Sequence, residues 1–265
     1  MWRPGTLPNS DKSLQILYED ADLLILNKPA GVLMHGDRRH AGEPTLLGHA
    51  LEYLRSSGFV SGFQPAFVHR LDKETSGVAV LAKTRKAVQS LNRQLKLKKI
   101  EKKYLALVVG EVRPHGSIRL HLQKQMDRKR WLALMVPVRR GGIYAQTDYK
   151  RLELFEYLGE KFSYIEAYPR TGRTHQVRAH FAGIGCPIVG DDLYGDAELN
   201  GKLRRELGVT RMLLHAAAIE FLHPTTEQRV RFEAPLPEDF QAVLQLLRQR
   251  GRNRPSPRPP GTPLP

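Results

Sequence analysis

Apolar and polar positions follow two different spacings along the chain, one typical of strands and one typical of helices. Two short aliphatic runs, at 14–18 and 23–26, flank a polar stretch at 19–22, and this pattern predicts a β-hairpin. Further clusters of aliphatic and β-branched residues predict strands at 78–82, 104–110, 146–155, 162–168, 212–222 and 229–233. Because Gly159 marks a turn between two of these runs, we expect the strands on either side of it to pair in antiparallel fashion.

Helices are predicted where apolar residues recur every three or four positions. The first follows Thr45, a residue type that caps helix N-termini, and ends before Gly58. The other predicted helices span 85–98, 174–183, 196–207 and 238–250. Strands outnumber helices and do not alternate with them regularly. The sequence therefore predicts an α+β fold with a mixed, mainly antiparallel β-sheet flanked by helices and loops.

The two ends of the chain differ from the part between them. Residues 1–13 lack the apolar run of a signal peptide, and no stretch of the sequence approaches the roughly 18 apolar residues of a membrane span. We therefore expect a cytoplasmic protein without a membrane contact. Residues 251–265 contain six prolines and three arginines, and we expect neither helix nor sheet there, because proline lacks an N–H donor. These features predict an N-terminal extension (1–13), one main domain (14–250) and a flexible tail (251–265).

The charge of the chain is strongly positive. There are 42 Lys and Arg residues against 27 Asp and Glu residues, a net charge of +15, and removing the three tail arginines still leaves +12. This balance favours an anionic partner, with nucleic acid preferred over an acidic membrane surface. Segment 83–103 carries nine basic residues and a single acidic one, Glu101. The segment therefore predicts a surface that follows the phosphates of a nucleic acid backbone.

Several common kinds of site have no sequence support. The single Cys186 excludes an internal disulfide and a zinc site built from several cysteines. The chain contains no GxxxxGK[ST] or GxGxxG loop, no GxSxG elbow and no HExxH pair. The best acidic pair is Asp191 with Asp192, which we interpret as part of a turn. We therefore expect no metal and no cofactor.

Asp72 is the most promising side chain for chemistry. It lies among His69, Arg70 and Lys73, and nearby positive charges favour the ionised form of a carboxyl group. An ionised carboxylate is available as a nucleophile or as a base. From these residues alone, a structural ion pair or a turn cap is the favoured explanation of Asp72.

Several ordered motifs resemble those of the RluA-type family of pseudouridine synthases. The motifs are LNKPAGVLMHG (26–36), HRLDKETSG (69–77), KKYLALVVG (102–110), RTGRTHQVRAH (170–180), GDDLYG (190–195) and RMLLHA (211–216). The resemblance extends over about 14–235, and it implies the pseudouridine synthase fold with a central catalytic cleft.

The resemblance also implies roles for individual residues. Asp72 would be the catalytic carboxylate, Tyr104 would lie against the target base, and Arg178 would pair with Asp72. The alternatives are a half-buried aromatic residue at the start of a strand for Tyr104 and a solvent-facing helix residue for Arg178, and the motif context favours the functional roles over both. We predict RNA contacts from the basic side chains near these motifs, namely Arg70, His69, Arg173, Lys96, Lys99 and Lys103.

The implied reaction converts a uridine of a structured RNA into its carbon-linked isomer. Because no atom is gained or lost, no redox cofactor and no activated donor are needed. Asp72 can attack the sugar, attack the base or remove a ribose proton, and all three routes use its negative charge. About a dozen residues precede the first predicted strand, too few for the small N-terminal RNA-binding domain of many relatives. Ribosomal and transfer RNA both remain candidate substrates, and we expect a monomer.

Two other functions remain open at this point. The first is a noncatalytic RNA-binding or ribosome-assembly protein on the same fold. The second is a metal-dependent RNA hydrolase, for which Asp191 and Asp192 are weak support. Asp72, Tyr104 and Arg178 are all present, which favours the synthase over the noncatalytic protein.

Overall fold

The computed structural model describes residues 14–36, 42–127 and 132–255. The chain forms two compact units. Within the described residues, the first unit extends to Lys103 and includes His215–Leu236, and the second contains Tyr104–Leu214 and the residues from Pro237 onward. The predicted single domain over 14–250 stays a prediction, and the predicted N-terminal extension lies outside the described residues.

The secondary structure contains twelve strands and five helices within the described ranges. The strands are β1 Gln15–Glu19, β2 Leu23–Lys28, β3 Ala66–Phe67, β4 Ser76–Ala82, β5 Glu101–Val109, β6 His115–Asp127, β7 Leu132–Val138, β8 Ile143–Tyr157, β9 Glu160–Pro169, β10 Leu214–Leu222, β11 Arg229–Glu233 and β12 Arg252–Pro255. The helices are α1 Leu46–Ser56, α2 Arg85–Lys96, α3 Gln176–Gly183, α4 Ala197–Leu207 and α5 Glu238–Arg250.

Strand pairing is mostly antiparallel in both units. In the first unit β2 pairs with β1 and β4, β3 pairs with β4, and β11 pairs with β10, all antiparallel. One parallel pair joins β4 to β10. In the second unit β5 pairs with β9, β8 pairs with β9, β6 and β12, and β6 pairs with β7, again all antiparallel. The predicted mixed, mainly antiparallel α+β architecture is therefore confirmed.

Each unit has its own apolar core. In the first unit, β2 and β4 present continuous apolar runs because both of their faces are covered, and helix α2 packs Ala87 and Leu91 against them. In the second unit, Val177 and Phe181 of α3 pack against alternate residues of β5 and β9. No helix within the described ranges is long and apolar enough to cross a membrane.

Local signals placed several elements correctly. The predicted first hairpin is formed by β1 and β2. The hydroxyl of Thr45 accepts a hydrogen bond from the N–H of Gly48 at 3.0 Å and so caps α1 as expected. The expected pairing across Gly159 is that of β8 with β9.

The predicted tail contains a short strand. We expected no sheet at 251–265, and this expectation is wrong for β12, which pairs antiparallel with residues 153–156 of β8. Strand β6 covers only residues 143–150 of β8, so the remainder of that edge is available to another strand. Pro255 lies at the end of β12, where the missing N–H disturbs the ladder least. Residues 256–265 lie outside the described residues.

Candidate active site

Asp72 lies on a tight turn that leads into β4. The N–H of Thr75 donates to the Asp72 carbonyl at 3.1 Å, and the side chain of Asp72 is half-buried. The next carbonyl, that of Lys73, accepts from the N–H of Gly31 and from Nζ of Lys28, both at 2.8 Å. The turn that carries the carboxylate is therefore held by hydrogen bonds to its backbone, one within the turn and two from the segment that contains Lys28 and Gly31.

Lys28 was not singled out from the sequence, although the structure gives it a central place in this turn. Its side chain is 0% exposed and also donates to the Pro29 carbonyl at 2.9 Å. A buried ammonium group is tolerated when acceptors surround it, and buried carbonyl groups need donors. The LNKPAG and HRLDK motifs therefore form one structure. A lysine at the end of a mostly aliphatic strand is the signal that could have identified it.

His69 ties the same turn to β4. Its Nε2 accepts a hydrogen bond from the N–H of Val80 at 3.1 Å, so the hydrogen resides on Nδ1, which is buried. Burial, together with the positive charge of Lys102, lowers the pKa of His69 to about 3. The ring is therefore neutral at pH 7. A direct contact of His69 with RNA stays a prediction.

The last two residues of the HRLDKETSG motif, Ser76 and Gly77, lie in β4 and pair in parallel with His215 and Ala216 of β10. Nδ1 of His215 is 2.9 Å from the Ser76 hydroxyl, and Nε2 is 3.2 Å from the Ala234 carbonyl. Since a carbonyl only accepts, Nε2 donates and Nδ1 accepts from Ser76. Gly77 has φ +114, and a Cβ there would lie 2.1 Å from the Ala216 carbonyl oxygen. The close approach of the two strands therefore requires glycine.

The predicted RNA contacts of the first unit differ in exposure. Arg70, Lys96 and Lys99 are exposed, whereas Lys103 is half-buried. Lys96 is the last residue of α2, and Lys98, just beyond it, adopts a left-handed backbone with φ 55. This conformation ends the helix two residues before the predicted end. Exposed lysines thus cluster around the C-terminal end of α2.

In the second unit, Gln176 organises the RTGRTHQ segment. Its Oε1 accepts from the Thr171 hydroxyl at 2.6 Å and from the N–H of Arg173 at 3.1 Å. Its Nε2 donates to the Gln146 carbonyl at 2.8 Å and to the Thr147 hydroxyl at 3.0 Å. The segment before α3 is therefore fixed to β8.

Helix α3 begins later than predicted because His175 adopts a left-handed backbone with φ 50. Within the helix, Nδ1 of the buried His180 is hydrogen-bonded to the Thr147 hydroxyl at 2.9 Å. Burial lowers the pKa of His180 to about 4, so this ring is neutral at pH 7.

Arg178 forms a buried ion pair with Asp191. Nε and one terminal nitrogen of the guanidinium donate to the two carboxylate oxygens at 2.7 and 2.9 Å. Arg178 is 9% exposed and Asp191 is 1% exposed, so Arg178 is no solvent-facing residue. The ring of Tyr194 lies 5.1 Å from the guanidinium carbon. The predicted pairing of Arg178 with Asp72 stays a prediction.

The GDDLYG segment forms a turn, as predicted. Oδ1 of Asp191 accepts from the N–H groups of Leu193 and Tyr194 at 2.9 and 3.2 Å. Asp192 is exposed and pairs with Arg204 at 2.7 Å. The two neighbouring carboxylates therefore serve different partners.

Tyr104 and Arg173 occupy contrasting environments. Tyr104 lies on β5 opposite Ala167 and packs, partly buried, against the core of the second unit. The role of Tyr104 against the target base stays a prediction. Arg173 is exposed, and its Nε donates to the Tyr144 carbonyl at 3.3 Å.

Known proteins resemble this chain over most of its length. The family model described as RNA pseudouridylate synthase matches residues 22–183. The ribosomal large subunit pseudouridine synthase D of Xanthomonas campestris pv. campestris is 38% identical over 250 residues, which cover 90% of this chain and 71% of that protein. The ribosomal large subunit pseudouridine synthase C of Escherichia coli K12 is 40% identical over 235 residues, with 88% and 70% covered.

Solved structures are similar as well. Human RNA pseudouridylate synthase domain containing 4 superposes with a TM-score of 0.70 at 27% identity, covering 88% of this chain and 93% of the human one. Human RNA pseudouridylate synthase domain containing 1 superposes with a TM-score of 0.66 at 28% identity, covering 96% and 100%.

Proposed function

We propose that this chain, which belongs to the RluA-type family of RNA pseudouridine synthases, isomerises uridines of large-subunit ribosomal RNA with the carboxylate of Asp72. Membership of the family makes the protein an isomerase. The glycosidic carbon–nitrogen bond of the target uridine breaks, the uracil rotates, and carbon 5 joins the sugar. Since the product has the same atoms as the substrate, the reaction needs no external donor.

The observation that carries the assignment of Asp72 is the way its turn is held. Lys28 and Gly31 both donate to the Lys73 carbonyl, and His69 joins the turn to β4. Catalytic groups work best when the surrounding backbone fixes their position before the substrate binds. Asp72 is half-buried on this turn, so the backbone that carries its carboxylate is held in place before RNA binds.

Arg178 and Tyr104 complete the proposed catalytic set. The guanidinium of Arg178 would pair with the Asp72 carboxylate, as the family resemblance implies. The partly buried ring of Tyr104 would supply an apolar wall that keeps the detached uracil in place. In this proposal the chain uses neither a metal nor a cofactor.

The RNA substrate is inferred from the relatives and the charge. The relatives from Xanthomonas campestris and Escherichia coli are both named for the large ribosomal subunit. The net charge of +15 and the exposed Arg70, Lys96 and Lys99 favour a polyanionic substrate. The target nucleotide must leave its stack to expose the reacting atoms, at a cost of a few kcal/mol that is lowest in loops. A monomeric state and a cytoplasmic location stay predictions.

The proposal is tested by mapping pseudouridine in defined RNAs. The full chain is incubated with large-subunit ribosomal RNA and with transfer RNA transcripts in the presence of a metal chelator. We expect pseudouridine at discrete uridines of the ribosomal RNA, with no cleavage. Pseudouridine in transfer RNA alone would contradict the proposed substrate. Binding of both RNAs without any product would contradict catalysis and favour a noncatalytic RNA-binding protein.

A further inference from the structure

We infer that the solvent face of β6 and β8 binds a single-stranded part of the RNA substrate by stacking a base on Tyr144. This surface, here called the Tyr144 face, consists of Arg119, His121, Tyr144, Gln146 and Arg173. The inference rests on the proposed function, since it assigns part of the same RNA to a second surface. It concerns residues to which neither the family motifs nor the catalytic proposal gives a role, with the exception of Arg173.

Strand register places these side chains on one face. His121 of β6 lies opposite Tyr144 of β8, and Arg119 lies opposite Gln146. Directly opposite residues of an antiparallel pair project to the same side of the sheet. The alternate residues Leu122 and Ala145 are fully buried on the other side. The Tyr144 face is therefore the solvent side of this sheet.

The ring of Tyr144 is oriented although 41% of the residue is exposed. Its hydroxyl donates to Oε1 of Gln146 at 3.0 Å. The amide nitrogen of Gln146 donates in turn to the Ser117 hydroxyl at 3.3 Å and to Asp148 at 3.1 Å. The ring also meets His121 edge to face, with 5.8 Å between centroids. A ring that is already ordered loses little conformational entropy when a base stacks on it.

The charges beside Tyr144 point to an anionic partner. Arg119 and Arg173 are both exposed, and no carboxylate in the described part of the chain forms a salt bridge with either. Nε of Arg173 donates to the Tyr144 carbonyl at 3.3 Å, which keeps this cation next to the ring. Cations beside an exposed aromatic ring bind single-stranded RNA, with phosphates on the cations and bases on the ring.

The test measures RNA affinity without turnover. An oligoadenosine strand contains no uridine, so its affinity does not depend on whether the chain isomerises anything. We expect Tyr144→Ala to weaken binding of this strand, measured by fluorescence anisotropy, about tenfold, because one base stack is lost. Tyr144→Phe keeps the ring and is expected to retain affinity within about threefold, on the same reasoning.

Tyr18→Ala is the matched control, since Tyr18 is 39% exposed in the first unit and outside the proposed surface. We expect this variant to bind like the parent chain. Equal affinity of Tyr144→Ala and the parent, or no binding of oligoadenosine by the parent, would overturn the inference. A parent that binds oligoadenosine but makes no pseudouridine would instead contradict the proposed function.

A second, independent observation concerns Asp191. The geometry points to Asp191 as a positioning residue for Arg178, because the bidentate pair fixes the plane of the guanidinium. Asp191 is itself fixed: its carbonyl accepts from the N–H of Gly195 at 2.9 Å and from Nδ2 of Asn200 at 3.1 Å. Tyr194, whose ring contacts the guanidinium, is held as well, since its hydroxyl accepts from the N–H of Met135 at 2.8 Å.

This second inference rests on the proposed role of Arg178 and is tested by a double-mutant cycle. We expect Asp191→Asn to lower kcat at least tenfold with KM for RNA unchanged, and Arg178→Lys to add little further loss in the Asp191→Asn background. Asp192→Asn, which changes the exposed neighbouring carboxylate, is expected to retain the parental kcat. If Asp191→Asn does not fold, Asp191→Glu, which moves the carboxylate by one methylene, takes its place.

The outcomes of this cycle separate the two proposals. Parental kcat in Asp191→Asn, or full additivity with Arg178→Lys, would overturn the positioning role. Parental kcat in Arg178→Lys alone would contradict the place of Arg178 in the proposed site. A retained kcat with raised KM would assign Asp191 to RNA binding and overturn the inference as well.

Discussion

Replacing Gly77 by alanine should open the pairing of β4 with β10. A Cβ at this position would lie 2.1 Å from the carbonyl oxygen of Ala216 and 2.7 Å from its carbonyl carbon. These atoms belong to the backbone, so the strands must separate by at least about 1.3 Å to bring the 2.1 Å contact to the 3.4 Å of ordinary van der Waals contact. Only two residue pairs form this parallel register, His215 with Ser76 and Ala216 with Gly77. Little else in the register opposes the separation.

The loss of stability expected for Gly77→Ala has two parts. A non-glycine residue at φ +114 costs about 1–3 kcal/mol in backbone strain. Insertion of a methyl group into packed structure adds about 1–3 kcal/mol. We therefore expect Gly77→Ala to lower the free energy of unfolding by about 2–6 kcal/mol, and to lower activity because Ser76 and the Asp72 turn shift with the strand.

Comparison with Gly159→Ala separates the backbone strain from the steric clash in the loss of stability of Gly77→Ala. Gly159 has φ +79 with no atom within 4 Å of a Cβ, so alanine there bears the backbone cost alone, about 1–2 kcal/mol. Urea unfolding followed by circular dichroism compares both variants with the parent chain. A Gly77→Ala variant that loses no more free energy than Gly159→Ala would refute the reasoning about the close approach.

Two further predictions concern pH and salt. In the folded chain the pKa of His180 is about 4 and that of His69 is about 3, both below the ordinary 6.5. The stability that these two neutral rings contribute is therefore fully present above pH 6.5 and is lost as the pH falls toward pH 4 and pH 3. When the pH is lowered from 7 to 5, each histidine should lower the free energy of unfolding by about 2 kcal/mol. Urea unfolding at both pH values measures this for the parent and for His180→Gln. If the free energy of unfolding falls as much in His180→Gln as in the parent, the prediction for His180 is contradicted. Replacing both Lys96 and Lys99 by glutamine should reduce the salt slope of RNA affinity by about 1.4, or about 0.7 per lost phosphate contact to a single strand. Lys161→Gln, at a lysine paired with Glu111 at 2.7 Å, is the control, and a slope unchanged by the Lys96 and Lys99 substitutions would exclude those contacts.

Local patterns predicted much of the secondary structure because spacing and caps report on neighbouring residues. Thr45 and the hairpin at the start of the chain are examples. The strand β12 was missed because its partner is an edge of β8 about a hundred residues earlier in the sequence. The composition of this region argued against a strand, because six of residues 251–265 are prolines.

The residues that support the proposed site could be predicted only in part, because sequence patterns report on neighbouring residues. Motifs identified Asp72 and Arg178, but the residues that hold them are distant in sequence or ordinary in type. Lys28 donates to the Lys73 carbonyl across 45 positions, and its place at the end of a mostly aliphatic strand does not indicate that partner. The turn at Asp191 is predictable from the sequence, but the pairing of both its carboxylate oxygens with Arg178 is not.

The ionised carboxylate of Asp72 is the central claim, and Asp72→Asn tests it most directly. The substitution keeps the size of the side chain and removes the negative charge, and mass spectrometry excludes deamidation back to aspartate. With large-subunit ribosomal RNA as substrate, we predict no pseudouridine in single-turnover reactions and an RNA affinity within a few-fold of the parent, because one carboxylate contributes little to phosphate contacts. Pseudouridine formation by the asparagine variant at the parental rate would contradict the account.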